Sequence, residues 1–334
     1  MCLSKTVKFY SCNSYKALVT IKSLLLSLAL MTLFSVTGCA KAELNAKLNQ
    51  TNFQVDNIGN GIYVHHGAHL DIDVGYQGDI CNISFVVGSK GVAVIDTGGS
   101  LKVGNQLRDA IRKVTPLPIL YVINTHVHPD HIYGNAAFLQ DKPEFVGHAK
   151  LGDAMQLRQE AYDKLNIKYL GADAEGSVIV KPTILVKEMM DLDLGDRSLK
   201  VTPYPSAHTN TDISVVDNKT QTVFTGDLLF IDRTPVVEAD LKGLIAAIDV
   251  LKTYPVKQVV PGHGSFTKDW ITALNNEQRY LNALLTDVRA TIAKGQSMES
   301  AMASAAAGEK DKWLLFDVAN RRNVNTIFPA LEWE

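Results

Sequence analysis

From Phe53 onward the chain runs in short apolar stretches separated by polar or glycine-bearing turns, the rhythm of strands. "FQVDNI", "GIYVHH", "CNISFVVG" and "VAVIDTG" predict four strands between residues 53 and 98, the last two closing a hairpin over "GSKG". The period then changes. "LKVGNQLRDAIRKV" places Val103, Leu107, Ala110, Ile111 and Val114 at helical spacing, and "LPILYVIN" returns to an unbroken apolar run, as expected of a strand buried on both faces. The second half repeats this grammar: "SLKVTPYP", "DISVVD", the turn "NKT" and "TVFTGDLLF", then a helix with Leu241, Leu244, Ile245, Ile248 and Leu251 on one face, then the strand of "VKQVVPGHG". A long helix from about Lys268 to Ile292 keeps Trp270, Leu274, Leu281, Leu284, Leu285 and Val288 in register. Two sets of strands, each followed by helix and strand, predict two stacked sheets with helices outside, an α/β fold.

The first 38 residues do not belong to that pattern. Lys5, Lys8, Lys16 and Lys22 with no acid precede "LLLSLALMTLFSV", a run too short to span a bilayer comfortably, since spanning takes roughly 20 apolar residues. Basic region, apolar core and small residues predict an export signal over residues 1–38 and a polar tether over 39–51, ahead of a domain at 52–334 that ends in a helical extension. "VTGC" resembles a bacterial lipobox, which implies removal of the signal, lipidation of Cys39, and a periplasmic or outer-membrane-anchored protein. Cleavage removes four lysines and no acid, so the net charge moves from −2 to −6, which disfavours nucleic acid as a partner. Cys81 is then the one cysteine left in the folded part, so no intramolecular disulfide framework is available; its strand-like setting reads as a buried apolar side chain.

Candidate chemistry concentrates in "THVHPDH", where His126, His128, Asp130 and His131 fall within six positions directly after the buried strand. Imidazoles and a carboxylate on an extended segment can converge on a borderline cation such as zinc. His208 in "SAHTNTD", Asp227 in "TGDLLF" and His263 in "PGHG" each follow a predicted strand. Asp96 in "VIDTG" and Thr125 are candidates for fixing imidazole tautomers. His69 and Tyr76 in "HHGAHLDIDVGYQGD", between two predicted strands, and Arg233 in "DRTP", just after Asp227, are candidate substrate contacts, Arg233 as a partner for a carboxylate.

In their order and spacing, "THVHPDH", "AHT", "TGD" and "PGHG" resemble the metallo-β-lactamase superfamily. That resemblance implies an αββα sandwich with a metal cleft along one sheet edge, a first ion on His126, His128 and His208, a second on Asp130, His131 and His263, and Asp227 bridging the two. It also implies a catalytic use of Asp130, which would orient a nucleophilic hydroxide generated between two Zn2+, with iron or manganese tolerated. Aspartate at position 227 resembles glyoxalase II-like hydrolases, whereas true β-lactamases of this fold carry cysteine or serine there. The segments "GDICNISFVVGSKGVAVIDTGGS", "GDLLFIDRTP" and "FDVANRRNVNTIFPALEWE" further resemble exported zinc metallohydrolases of quinoprotein dehydrogenase systems and sulfur-oxidation loci. The expectation is a dinuclear hydrolase of an ester, thioester or lactone of small-molecule size, accessory to a quinoprotein system. Three alternatives stand beside it: a β-lactamase, an iron persulfide dioxygenase-like oxidoreductase, and a non-catalytic accessory binding protein.

Overall fold

The computed structural model describes residues 53–73 and 75–334, and the export segment and the whole tether, Cys39 included, lie outside them. One sheet has seven strands in the order β1 (Asp56–Gly59), β2 (Ile62–His65), β3 (Ile83–Val87), β4 (Val92–Ile95), β5 (Ile119–Ile123), β6 (Glu144–His148) and β7 (Ile184–Val186). Its first four strands are antiparallel, and β4 to β7 run parallel. The second sheet has the order β12 (Gln258–Val260), β11 (Thr222–Phe224), β10 (Ile213–Asp217), β9 (Ser198–Pro203) and β8 (Met190–Asp193), parallel only where β11 meets β12. Both sheets are mixed, and their number matches the two-sheet expectation.

Alternation along the strands explains the stacking. Ile62 and Val64 on β2, Val86 on β3 and Ile95 on β4 meet Val201, Val215, Phe224 and Val260 of the other sheet in one buried cluster. Each such side chain contributes about 1.5–3 kcal/mol by leaving water. The expected strand at 117–124 is only partly sealed, because Leu120 and Tyr121 remain half-buried.

Helices cover the outside. α1 (Leu101–Val114) starts where the Ser100 hydroxyl accepts from the Val103 amide, and it buries Val103, Leu107, Ala110 and Ile111 while Val114 stays exposed. α2 (Pro129–Ile132) is a single turn carrying Asp130 and His131. α3 (Leu151–Leu170) was not expected: it buries Leu151, Ala154, Met155 and Asn166 but leaves Leu157 and Ile167 in solvent, so its apolar residues trace no single stripe. α4 (Leu241–Leu251) is capped by Asp240, which accepts from the Lys242 and Gly243 amides, and α5 (Trp270–Ala293) follows the expected register, with Leu285 only partly buried. The C-terminal extension supplies α6 (Met298–Ser304) and α7 (Phe316–Glu332), and Val324, Ile327 and Phe328 join the cluster between these helices and the second sheet. Among the described residues no helix is long and apolar enough to cross a membrane.

Candidate metal centre

Four segments that leave strand ends build the site. His126 and His128 follow β5, with Asp130 and His131 on α2; His208 lies between β9 and β10; Asp227 follows β11; His263 follows β12. The glycines of the last two motifs have a steric reason. Gly226 holds φ +52° with Thr125 packed against it, and a Cβ at Gly262 would lie 2.0 Å from Asp227 Oδ1, so the two loops close on the carboxylate only without side chains.

The seven predicted ligands converge on two sets around Asp227. Its Oδ2 lies 3.3 Å from His208 Nε2, 3.7 Å from His126 Nε2 and 3.3 Å from His263 Nε2, and its Oδ1 lies 3.2 Å from His131 Nε2. His128 Nδ1 approaches His208 Nε2 to 3.0 Å. Asp130 Oδ2 lies 3.5 Å from His131 Nε2 and 3.4 Å from His263 Nε2. One set is His126, His128, His208 and Asp227; the other is His131, His263 and Asp227, with Asp130 beside them.

The other nitrogen of every ring is tied down. His126 Nδ1 donates to Thr125 Oγ1 at 3.0 Å, and His131 Nδ1 to Asp96 Oδ2 at 2.8 Å. His208 Nδ1 donates to the Val236 carbonyl and His263 Nδ1 to the Ile80 carbonyl, both at 2.7 Å. His128 is reversed: its Nε2 pairs with Glu238, which is itself held by Arg158, and Nδ1 faces the centre. Asp96 also accepts from the Thr125 amide and hydroxyl, and its φ of +56° places strain at this support.

These ties make the donor set fit cations. His128 Nδ1 faces His208 Nε2 at 3.0 Å, with the other nitrogen of each ring already committed on its far side. His126 Nε2, His131 Nε2 and Asp227 Oδ1 are buried without a hydrogen-bond partner. Buried polar atoms in proteins are nearly always paired, and divalent ions are what an imidazole and carboxylate set of this kind accommodates. Burial, with His131 next to it, pushes His126 well below the ordinary imidazole range, and burial takes His208 down to about 4, so both are neutral ligands at pH 7. Burial alone would raise the Asp227 carboxyl, but the surrounding imidazoles, His263 foremost, hold it well below the usual range.

The remaining candidates divide. Asp96 and Thr125 stand behind the ligands, and Arg233 lines the cleft. His69 is exposed and lines a separate depression with His66 and Phe266, and Tyr76 is 2% exposed and packs under Gly99, so neither is among the residues lining the cleft. Cys81 precedes β3 rather than lying within it; it is buried and donates to the Asp130 carbonyl at 2.8 Å. Sequence reasoning missed Glu238, an acid in "PVVEAD" with no motif around it, and Phe230, whose ring stacks on His263 at 5.2 Å. It also missed Asp71 and Arg322, which line the same cleft.

Two mixed sheets under helices, with buried imidazoles and carboxylates gathered at the strand ends, define a metal-dependent hydrolase. The chain belongs to the Metallo-beta-lactamase superfamily, whose family model matches residues 76–263. Among curated proteins, the linear primary-alkylsulfatase of Pseudomonas sp. is 32% identical over 62 residues, 19% of this chain and 12% of that protein. Among solved structures, the stereoselective inverting sec-alkylsulfatase Pisa1 from Pseudomonas sp. superposes with TM-score 0.65 at 17% identity, covering 83% of this chain and 50% of that one. A metallo-beta-lactamase from Pontibacter korlensis gives TM-score 0.55 at 21% identity over 69% of this chain and 98% of its own. The chain therefore spans at most half the length of the alkylsulfatases it matches, and these structural likenesses speak to fold.

Proposed function

We propose that the protein is a dinuclear hydrolase, with zinc in both positions, that cleaves an ester, thioester or lactone in the cleft above Asp227. The observation that carries this reading is the pair of ligand sets sharing one carboxylate, with His126 Nε2, His131 Nε2 and Asp227 Oδ1 buried without a hydrogen-bond partner. His126, His128 and His208 would hold one ion, and Asp130, His131 and His263 the other. When bound, the ions supply Lewis acidity and hydroxide at neutral pH. The chain's own contribution is positional: Thr125, Asp96, Glu238 and two backbone carbonyls fix five imidazole rings, and Asp130 Oδ2, between His131 and His263, is placed to orient the attacking group. Hydrolysis adds hydroxide to the acyl carbon, breaks its bond to the leaving oxygen or sulfur, and delivers one proton to that atom.

A sulfate ester is the second reading, favoured by the names of the alkylsulfatase relatives and by the arginines at the cleft. Export, lipidation at Cys39 and service to a quinoprotein dehydrogenase system complete the proposal; they rest on the N-terminal segment and on the resemblance of "GDLLFIDRTP" and the C-terminal run. The test is metal content with turnover of a panel containing carboxylic esters, thioesters, lactones, alkyl sulfates and nitrocefin. Two equivalents of zinc with ester, thioester or lactone turnover is the expected result. Less than one equivalent after loading, or turnover confined to nitrocefin, would overturn it.

A further inference from the structure

The floor of the cleft accounts for the metal ligands, but not for the two guanidinium groups above it. Arg233 is 5% exposed. Its Nη1 donates to the Leu70 carbonyl at 3.1 Å and lies 3.2 Å from His263 Nδ1, which cannot accept because its own proton goes to Ile80. Arg233 Nε is buried with no partner at all. A guanidinium is a planar fork of five donors, and a buried one left partly unpaired is costly. The second guanidinium, Arg322, comes from α7 in the C-terminal extension. It grips Asp71 with two bonds, Nη1 to Oδ1 at 3.1 Å and Nη2 to Oδ2 at 2.9 Å. Asp71 is 8% exposed, lies in the loop after β2, and lines the cleft together with both arginines. The cleft, about 190 Å3, also has an apolar side built from Ile72, Ile80, Leu165 and Val236.

An aspartate carboxylate gripped by an arginine fork beside a second, under-used guanidinium is what a bound anion would look like. The apolar side adjoining it suits a hydrocarbon body. We propose that the cleft takes a substrate with an anionic head, carboxylate or sulfate, held by Arg322 and Arg233, and that Asp71 is a built-in competitor which the head displaces. The C-terminal extension then has a function, because it delivers one of the two recognition groups. Contact between Arg233 and His263 places the head on the side of the second ligand set. This inference rests on the reading of the cleft as the hydrolytic site.

Calorimetric titration of the metal-loaded protein with hexanoate, hexyl sulfate and neutral hexanol tests it. Arg322→Gln should weaken binding of the preferred anion by roughly tenfold, the scale of a charge-assisted hydrogen bond. Asp71→Asn should tighten that anion by roughly threefold or more, and hexanol should be unaffected by either change. The tighter of the two anions identifies the head. If Arg322→Gln lowers the melting temperature, Arg322→Lys, which keeps the charge and loses the fork, should weaken the anion by an intermediate factor. Anion affinity within twofold of the parent in Arg322→Gln and Arg322→Lys overturns the proposal, because the anions then bind the metal alone. Anion affinity that falls in Asp71→Asn also overturns it, because the pair is then a structural latch. Turnover measured in parallel separates the two ideas: a protein that hydrolyses nothing in the panel removes the hydrolase reading, while the probe affinities still decide the anion site.

Discussion

The floor of the cleft and its rim are built by different rules. On the floor, every ligand follows the end of a strand and is between 0 and 5% exposed apart from His128, and every ligand imidazole has its second nitrogen committed to a neighbour. The rim is assembled from segments remote in sequence, Asp71 and Arg322 lying 251 positions apart, and the Arg322 side chain is half exposed. Chemistry is therefore anchored by rigid, local structure, and selectivity by contacts that can change without moving the sheets. Functional sites that hold reacting groups tightly while leaving loops to choose the substrate follow from this division.

Substitution of the floor should break the contrast most severely. Asp227→Ala removes the carboxylate shared by both ligand sets, so turnover of every accepted substrate should fall by about a thousandfold or more, the scale for losing a group aimed at the reacting centre. Metal analysis of the same variant should show lost ions. Unchanged turnover would mean that the chemistry lies elsewhere.

Next in size come the residues behind the ligands. Asp96→Asn and Glu238→Gln each loosen one imidazole, His131 or His128, and should lower metal affinity by about 10–100-fold in competition with a chromophoric chelator. Equal losses would show that the support of the floor is uniform although Asp96 sits in a strained turn after β4 and Glu238 in an extended loop.

How much of this could be read in the sequence follows the same division. The floor was legible because His126, His128, Asp130 and His131 come in one short block after an apolar run, and the resemblance of "AHT", "TGD" and "PGHG" to the superfamily supplied His208, Asp227 and His263. The two sheets were legible from short apolar runs separated by polar or glycine-bearing turns, and α1, α4 and α5 from their stripes. α3 was not, because Leu157 and Ile167 point to solvent and blur its period. Glu238 and Arg322 were illegible for a different reason: Glu238 belongs to no motif, "FDVANRRNVNTIFPALEWE" carries a resemblance without singling out either of its arginines, and only the packing of α7 and the Arg233–Glu238 loop brings the two residues to the cleft. Tyr76 was expected at the substrate, but the loop between β2 and β3 folds its ring inward, beneath Gly99.

A smaller effect should separate the C-terminal block from the floor. Glu309 is bound by Arg279 through two nitrogens at 3.0 Å, by Lys312 at 2.7 Å and by Trp313 Nε1 at 3.3 Å. Burial would raise its pKa, but these bonds, Arg279 foremost, lower it to about 2. A depressed carboxyl stabilises the fold above its unfolded value near 4.5, and that stability is lost as the pH falls from there through about 2. Because Arg279 is 42% exposed, Glu309→Gln should cost only about 1–2 kcal/mol at pH 7. In thermal melts the parent and variant should converge on acidification, and kcat at pH 7 should be unchanged. A variant that loses kcat instead would tie the extension to the floor.

The smallest effect is expected at Tyr76, in the same loop as Asp71. Its hydroxyl is buried without a partner, and burial pushes its pKa well above the ordinary phenol value. Tyr76→Phe removes an unsatisfied polar atom while keeping the ring against Gly99, so stability should stay level or rise by up to about 1 kcal/mol. Turnover and KM should stay within about twofold, since the side chain is not among those lining the cleft. The comparison with Arg322→Gln is then direct, because one loop would carry both a residue that shapes substrate affinity through its partner and one that does not touch it. A severalfold rise in KM at constant kcat would place Tyr76 on the rim and show that the loop swings its ring outward when substrate arrives.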